Sequence, residues 1–265
     1  MTELIQKHLP IHHPWRNSIL WFDSIDSTNT RAKELAAAGV PAGTVLVADM
    51  QTGGRGRMGR SFHSPAGTGI YLSVILRPDC KPEALMHLTC ACAVAARQAI
   101  EKVTGLDCGI KWINDLVLSG KKVAGILTEL SLAADGKVRY AVLGIGINCN
   151  QKFGDFPPEI AAIATSLSTE TGTPIDRSRL IAALIEEFFL MDQQLIPGKD
   201  TIMEAYRKRC ITLGKEVSVH RSDSVRHGIA RQLDADGGLT VEFPNGCLET
   251  VNAGEVSVRG LYGYM

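Results

Sequence analysis

The stretch GGRGRMGRSFHSPAGTGIYLSVILRP, residues 53–78, decides between the folds open to a glycine-rich sequence. It contains Gly54-x-Gly56-x-x-Gly59, which matches the fingerprint of a dinucleotide-binding loop, and Asp79 follows at a suitable distance for a ribose contact. That fingerprint requires a helix after the loop, because the helix amino terminus binds the pyrophosphate. The residues after this loop instead alternate and are rich in β-branched and aromatic side chains, which predicts a strand. The sequence therefore argues against a Rossmann fold.

Other phosphate-binding motifs are also absent from the sequence. A glycine-rich loop between two strands occurs in protein kinases, but no HRD or DFG element follows. No glycine-lysine pair precedes a serine or threonine, so there is no Walker A motif. The loop thus places three fixed positive charges, Arg55, Arg57 and Arg60, on a soft glycine-rich backbone.

Composition excludes several classes of protein. The 265 residues are 45% hydrophobic, which suits one large domain and a small one. Lysine plus arginine and aspartate plus glutamate both number 28, so a general nucleic-acid-binding surface is not expected. The seven cysteines include no CxxC pair, as in reduced cytosolic proteins. No apolar run approaches a membrane span and the amino terminus has no apolar leader segment. We expect a soluble cytoplasmic protein without membrane contact.

The order of predicted elements mixes helices and strands. A strand over residues 19–23, a helix capped by Ser27 or Thr28, and a strand over 44–50 precede the arginine/glycine loop. A long helix over 82–103, a meander of four strands ending at residue 148, and an amphipathic helix over 176–195 come after it. From Gly214 onward, short strands separated by Asp/Gly and Asn/Gly turns are typical of a small β-barrel. The predicted domains are 1–213 and 214–265.

Four further stretches are candidate sites, and each also has an ordinary structural explanation. DSTN before the first long helix is typical of a helix cap. KWINDLVL is compatible with an ordinary polar turn. The Lys121–Lys122 pair is compatible with the solvated tip of a hairpin. GIGIN favours a functional interpretation, because Gly144 and Gly146 lie on one face of a strand. Glycines inside strands mark places where a ligand or another backbone comes close.

The order of these motifs resembles the biotin protein ligases, also called holocarboxylase synthetases. The matching segments are STN, QxGGRGRxGR, KWxND, GKKVAGILTE, GIGIN and a small carboxy-terminal β domain, from about Ile19 to Arg259. Ile113, Met58 and Phe62 replace the proline, arginine and tryptophan usual in the family. The resemblance implies an α+β fold, in which a mixed β-sheet packs against helices as in class II synthetases. It also implies an Src-homology-3-like carboxy-terminal barrel.

The resemblance implies that the protein activates biotin with ATP as biotinyl-5'-AMP. The biotinyl group then passes to a lysine of a biotin carboxyl carrier protein domain. ATP brings Mg²⁺, for which Asp115 is the candidate ligand. Catalytic roles fall to Lys122 and Arg57. The implied biotin-binding residues are Ser27, Thr28, Asn29, Gln51, Arg55, Gly56, Arg57, Lys122, Gly125 and Gly144, with Gly146 beside them. The implied ATP-binding residues are Gly54, Arg57, Arg60, Phe62, Lys111, Asn114 and Asn148.

Two other functions remain as alternatives at this point. Lipoate and octanoate ligases share the implied fold and chemistry, but their arginine-plus-triple-glycine signature is absent. A non-catalytic binding module is the second alternative, although neutral charge and the lack of aromatics among the basic residues argue against it.

The state of assembly and DNA binding are further expectations. The segment before Ile19 is short, so we expect the monofunctional ligase type, with no DNA-binding domain and no DNA partner. Residues 137–148 are a candidate edge strand for a homodimer. Alternatively, Lys137 and Arg139 are charges that keep such an edge unpaired.

Overall fold

The structure is a computed structural model that describes residues 1–221 and 224–252 and the backbone of 257–260. The last residues of the predicted carboxy-terminal domain lie outside this part. The helices are α1 (Thr2–His8), α2 (Thr28–Ala37), α3 (Leu88–Thr104), α4 (Pro158–Ala161), α5 (Leu167–Thr171), α6 (Arg177–Gln194) and α7 (Lys199–Arg209). The strands are β1 (Ile19–Phe22), β2 (Val45–Ala48), β3 (Gly69–Leu76), β4 (Gly109–Lys111), β5 (Asp115–Leu118), β6 (Lys121–Leu132), β7 (Val138–Asn148), β8 (Glu216–His220), β9 (Val225–Leu233), β10 (Leu239–Glu242), β11 (Leu248–Val251) and β12 (Ser257–Gly260).

The larger sheet confirms the mixed α+β prediction. Its seven strands are ordered β1-β2-β3-β7-β6-β5-β4, with β1 parallel to β2 and every other pair antiparallel. The strand β3 follows the arginine/glycine loop, so the argument against a Rossmann fold is confirmed. The four-strand meander is confirmed as β4 to β7.

The prediction of an edge strand at residues 137–148 is wrong. Strand β7 lies in the middle of the sheet, hydrogen-bonded to β3 on one side and β6 on the other. Its continuous apolar residues suit this position, because a central strand is covered on both faces. No sheet-to-sheet dimer can therefore form along β7.

Alternation along the strands assigns the two faces of this sheet. Val45 and Val47 on β2 join the main core, which also contains α3 and α6. Leu46 between them, with Ile75 on β3, packs on the opposite face under Ala32 and other residues of α2. Helix α2 is short and covers only part of this face. The part of the sheet beyond the amino end of α2, which includes Gly144 and Gly146, is not covered by this helix.

Several helix boundaries differ from the sequence predictions. The helix predicted from residue 82 begins at Leu88, after a separate 3-10 turn over Pro82–Leu85. Helices α1 and α7 were not predicted. Helix α7 buries only Met203 and Tyr206, which is too few apolar positions to give a clear helical period. No helix in the described part of the chain is long and apolar enough to cross a bilayer.

The carboxy-terminal unit is the small all-β structure that the sequence predicts. Five antiparallel strands are ordered β11-β10-β9-β8-β12. Its turn before β10 contacts the larger unit, where the indole nitrogen of Trp112 donates to the Gly237 carbonyl oxygen at 2.8 Å. Val217 and Leu239 belong to the same buried apolar cluster as α3 and α6. The two sheets therefore share a core.

Candidate active site

A cavity of about 460 Å³ lies on the sheet face beyond the amino end of α2. The arginine/glycine loop covers it, and β5, β6 and β7 form its floor. Every residue predicted to bind biotin, ATP or metal lines this cavity, apart from Gly54. These are Ser27, Thr28, Asn29, Gln51, Arg55, Gly56, Arg57, Arg60, Phe62, Lys111, Asn114, Asp115, Lys122, Gly125, Gly144 and Asn148, with Gly146. Residues far apart in sequence thus meet at one concave site.

The amino end of α2 supplies uncharged polar groups. The Ser27 side chain caps the helix and accepts from the Thr30 amide at 3.4 Å, so the cap interpretation of DSTN is confirmed. The amide and hydroxyl of Thr28 both donate to Gln51 Oε1, at 2.9 and 3.1 Å. Ser73, which sequence reasoning missed, is fully buried and donates to Asn29 Oδ1 at 2.6 Å. This end of the cavity is neutral and already hydrogen-bonded.

The arginine/glycine loop forms a small hairpin over the cavity. The Gly56 amide donates to the Arg60 carbonyl at 2.7 Å, and the Phe62 amide donates to the Gly54 carbonyl at 2.9 Å. A Cβ at Gly54 would come within 2.5 Å of the Phe62 carbonyl oxygen. Gly54 therefore permits this close backbone pairing instead of lining the cavity. Met58 at the tip has a φ of 56°, which is unusual for a residue with a side chain.

The Phe62 ring lies on the two glycines that face each other in the sheet. Gly125 on β6 and Gly146 on β7 are paired in register. A Cβ at Gly146 would overlap the Phe62 ring, and one at Gly125 would lie 3.4 Å from it. The ring also packs edge-on against Tyr71, with centroids 6.4 Å apart. The glycines thus leave the space that the Phe62 ring occupies.

Charged groups gather beside these glycines. Lys122 Nζ lies 2.6 Å from Asp115 Oδ1. Arg57 reaches the same place and donates to Asn114 Oδ1 at 3.2 Å. Burial lowers the pKa of the Arg57 guanidinium, while the nearby Asp115 carboxylate opposes that shift. Asn114 is itself fixed by donating to the Ile126 carbonyl at 3.0 Å. The arrangement concentrates positive charge at one end of the cavity.

One wall of the cavity was missed by sequence reasoning. Ile160, Ile163 and Ala164, in and after α4, line it. The segment is held beside β6, because the Lys122 amide donates to the Ile163 carbonyl at 2.8 Å and the Lys122 carbonyl accepts from the Thr165 amide at 2.9 Å. A contact of 3.0 Å between His63 Nε2 and the Asp155 carbonyl joins this segment to the arginine/glycine loop. Only the tertiary structure reveals this wall.

The side chains that line the cavity include one carboxylate that could bind a metal ion. Among the residues that the structure describes, no group of three or more histidine, cysteine, aspartate or glutamate side chains could hold an ion. Asp115 contributes a carboxylate to the cavity. Mg²⁺ in nucleotide sites needs only one or two carboxylates, because phosphate oxygens and water complete its shell. The Asp115 carboxylate is therefore compatible with Mg²⁺ bound together with a nucleotide.

Comparison with known proteins agrees with this geometry. The Biotin/lipoate A/B protein ligase family model matches residues 21–148, and the Biotin protein ligase C terminal domain model matches residues 212–259. The chain therefore belongs to the biotin/lipoate protein ligase family. Within it, the carboxy-terminal match and the named relatives place the chain among the biotin protein ligases.

Three relatives illustrate the similarity. The bifunctional ligase/repressor of Bacillus spizizenii is 38% identical over 95% of this chain and 74% of its own length. The biotin–[acetyl-CoA-carboxylase] ligase of Mycobacterium tuberculosis is 34% identical over 87% of this chain and 85% of its own. The biotin protein ligase of Aquifex aeolicus, solved with biotin and ATP, has a TM-score of 0.76 at 31% identity, covering 92% of this chain and 99% of that one.

Proposed function

We propose that this chain is an ATP-dependent ligase that joins biotin to a lysine of a biotin carboxyl carrier protein domain. The observation that supports this best is the order of groups along β7. Asn29 lies over Gly144, and Phe62 lies over Gly146. Asn148 comes next along the strand, beside the wall that contains Ile163 and Ala164. Alternate residues of a strand are about 7 Å apart, so these are successive positions along one groove.

This order matches the order of groups in biotin. The neutral ureido head needs hydrogen-bonding groups, since burying it unpaired is unfavourable. Asn29, Thr28 and Gln51 supply them at one end. The flat fused rings would pack beside the Phe62 ring, which lies on Gly125 and Gly146. The carboxylate would contact Arg57 and Lys122, of which Lys122 Nζ lies over Gly125.

In the first step a biotin carboxylate oxygen attacks the α-phosphorus of ATP. A new P–O bond forms, the bond to the β-phosphate bridging oxygen breaks, and pyrophosphate leaves with the electron pair. Two anions must approach each other, so fixed positive charge lowers the barrier. The Arg55 and Arg57 guanidinium groups suit paired oxygens, and Lys122 supplies a compact charge at the reacting atoms. Arg60 and Lys111 line the cavity where the outer phosphates would lie.

In the second step the amine of a carrier lysine attacks the acyl carbon. The C–N bond forms, the bond to the AMP phosphate oxygen breaks, and the amine loses a proton. A hairpin loop that opens and closes over the mixed anhydride would exclude water until the carrier arrives. The loop has exposed Arg55, Met58 and Arg60 and few buried side chains, which suits such movement.

The position of Phe62 changes one predicted role. The resemblance implies that Phe62 binds ATP, but its contacts with Gly125 and Gly146 support a role beside the biotin rings. The adenine would then rest on the apolar wall formed by Ile160, Ile163 and Ala164, next to Asn148. Aromatic and aliphatic surfaces both bind flat heterocycles by burying apolar area.

Several finer properties belong to the same proposal. Mg²⁺ would be held by Asp115 together with the ATP phosphates, where it neutralises charge on the leaving group. The division into a biotin/ATP-binding domain over 1–213 and a small β domain over 214–265 fits the start of β8 at Glu216. Cytoplasmic location and lack of DNA binding stay predictions. A homodimer also stays a prediction, provided that it does not pair through β7.

Exchange of labelled pyrophosphate into ATP tests the proposed function. We expect exchange that depends on biotin and is absent with lipoate or with no acid. Exchange that depends on lipoate instead would indicate the lipoate or octanoate ligase activity. No exchange with either acid would indicate the non-catalytic binding module.

A further inference from the structure

The side-chain amide of Asn29 is held on both sides by groups from different strands. Its nitrogen donates to Glu129 Oε2 at 2.9 Å and to the Leu127 carbonyl at 3.2 Å, both on β6. Its oxygen accepts from the Ser73 hydroxyl at 2.6 Å. Asn29 is 5% exposed, so water cannot replace these partners freely. The two acceptors on β6 therefore hold the nitrogen end of the Asn29 amide.

Glu129 and the Leu127 carbonyl together determine which way this amide faces. An ionised carboxylate can only accept hydrogen bonds, so it selects the nitrogen end of the amide. Lys33 Nζ lies 2.6 Å from Glu129 Oε1, so the two side chains form an ion pair. A carbonyl oxygen turned toward Glu129 would meet a negative charge with no proton between them. The ion pair thus leaves Asn29 Oδ1 as the atom above Gly144, on the cavity floor.

An oriented amide matters because the two ends of an asparagine have opposite hydrogen-bonding character. A ureido group has two N–H donors and one carbonyl acceptor. Asn29 Oδ1 has a second lone pair in addition to the one used by Ser73, so it can accept one such N–H. If the amide were reversed, its NH₂ group would face the ureido N–H, and a donor would meet a donor.

We propose that Glu129 is a positioning residue for the ligand's urea-like head. Held by Lys33, it turns Asn29 so that Oδ1 is an acceptor for a ureido N–H. Glu129 does not line the cavity and acts through Asn29. The inference rests on the proposed function, since it assumes that the neutral end of the cavity receives the ureido group.

The first test is the substitution Glu129→Gln. A neutral glutamine has the same shape but can offer either end of its own amide. Only the Leu127 carbonyl, at 3.2 Å, then still selects the nitrogen end of Asn29. We expect KM for biotin in the pyrophosphate-exchange assay to rise about tenfold, the scale of one lost hydrogen bond. The KM for ATP and kcat should change by less than about twofold. Equal rises in both KM values would indicate general damage and would overturn the proposal.

A charge-exchanged pair gives the sharper test. Asn29→Asp alone places a second carboxylate opposite Glu129. Its KM for biotin should exceed the KM for biotin of Glu129→Gln by about tenfold or more. In Asn29→Asp combined with Glu129→Gln, the glutamine nitrogen donates to one oxygen of the introduced carboxylate, and the other oxygen again faces Gly144. We expect the double variant to recover at least about tenfold relative to Asn29→Asp. No recovery would contradict an acceptor role for this position.

The control is the matched ion pair between Lys102 and Glu186, also 2.6 Å apart and away from the cavity. Glu186→Gln should leave KM for biotin unchanged, and thermal melting of each variant reports its folding. Absence of biotin-dependent exchange in the unmodified protein would refute the proposed function. Normal exchange with an unchanged KM in Glu129→Gln would refute only the role of Glu129.

Discussion

The ammonium group of Lys122 lies 2.6 Å from the carboxylate of Asp115, although the residues occupy neighbouring strands on either side of a tight turn. This pair joins the candidate catalytic cation to the candidate ligand of Mg²⁺. Each therefore fixes the other before any substrate binds. Such preorganisation removes reorganisation energy at the moment of reaction. The pair also implies that removing either side chain leaves an uncompensated charge in the cavity.

Lys122→Ala should reduce biotinyl-adenylate formation by about a hundredfold or more, because a preorganised charge beside the α-phosphorus is lost. The measurement is the rate of biotin-dependent pyrophosphate exchange. Lys121→Ala is the matched control, since Lys121 precedes it on β6 but does not line the cavity. Normal exchange in Lys122→Ala, or equal losses in both variants, would remove Lys122 from the proposed role.

Arg57→Gly should separate adenylate synthesis from adenylate retention. Arg57 links the loop to Asn114, so its loss removes a charged contact and loosens the hairpin. Free biotinyl-adenylate acylates exposed lysines on any protein. In Arg57→Gly we therefore expect a higher ratio of biotin on a bystander protein to adenylate made. Met58→Gly, at the same loop tip, is the control for backbone flexibility without loss of charge. An unchanged ratio in Arg57→Gly would show that Arg57 does not retain the intermediate.

Gly144→Ala should weaken biotin binding, because the added methyl group would overlap Asn29 Oδ1 and push the amide away. We expect KM for biotin to rise about tenfold or more, with a smaller effect on KM for ATP. Gly154→Ala provides the comparison, since a methyl group there meets no atom within 4 Å. The account would be in error if both variants behaved alike.

The agreement between sequence and structure is greatest where short motifs require a local backbone. It was predictable that other groups pack closely on Gly144 and Gly146, because glycine in a strand interior is unfavourable without such a neighbour. The roles of Ser73 and Glu129 were not predictable, since they depend on pairing between strands far apart in sequence. The central position of β7 was likewise missed, because an apolar strand gives no information about which strands flank it.

The wall at Ile160 and Ile163 shows a second limit of sequence reasoning. Its residues lie in a short segment without strong periodicity, and Ile163 remains 37% exposed. The backbone bond from Lys122 to Ile163 places this segment beside the site. Main-chain contacts of this kind leave no residue signature in a single sequence.

Alkaline conditions should destabilise the protein through its buried thiols. Burial raises the pKa of Cys108 and of Cys149 to about 12. An unfolded thiol ionises near pH ~8.5, so above that pH the unfolded chain loses protons that the folded chain keeps. The free energy of unfolding should therefore fall as pH rises from about 8.5 toward about 12, by up to about 1.4 kcal/mol per pH unit for each buried thiol.

Urea unfolding at several pH values between about 8 and 10 measures this effect. Cys149→Ala should show a shallower decline than the unmodified protein, since one buried thiol no longer titrates on unfolding. Cys247→Ala, which removes an exposed thiol, is the comparison variant. Parallel slopes for Cys149→Ala and the unmodified protein would contradict the assigned pKa shift.

Transfer of biotin to a carrier domain is the measurement that tests the whole account. The purified protein is incubated with biotin, ATP, Mg²⁺ and an unmodified biotin carboxyl carrier domain, and the carrier is analysed by intact mass and peptide mapping. The account predicts a single biotinyl group on one lysine, formed only with ATP and suppressed by Lys122→Ala. A carrier that stays unmodified, or one that receives lipoate in place of biotin, would contradict it.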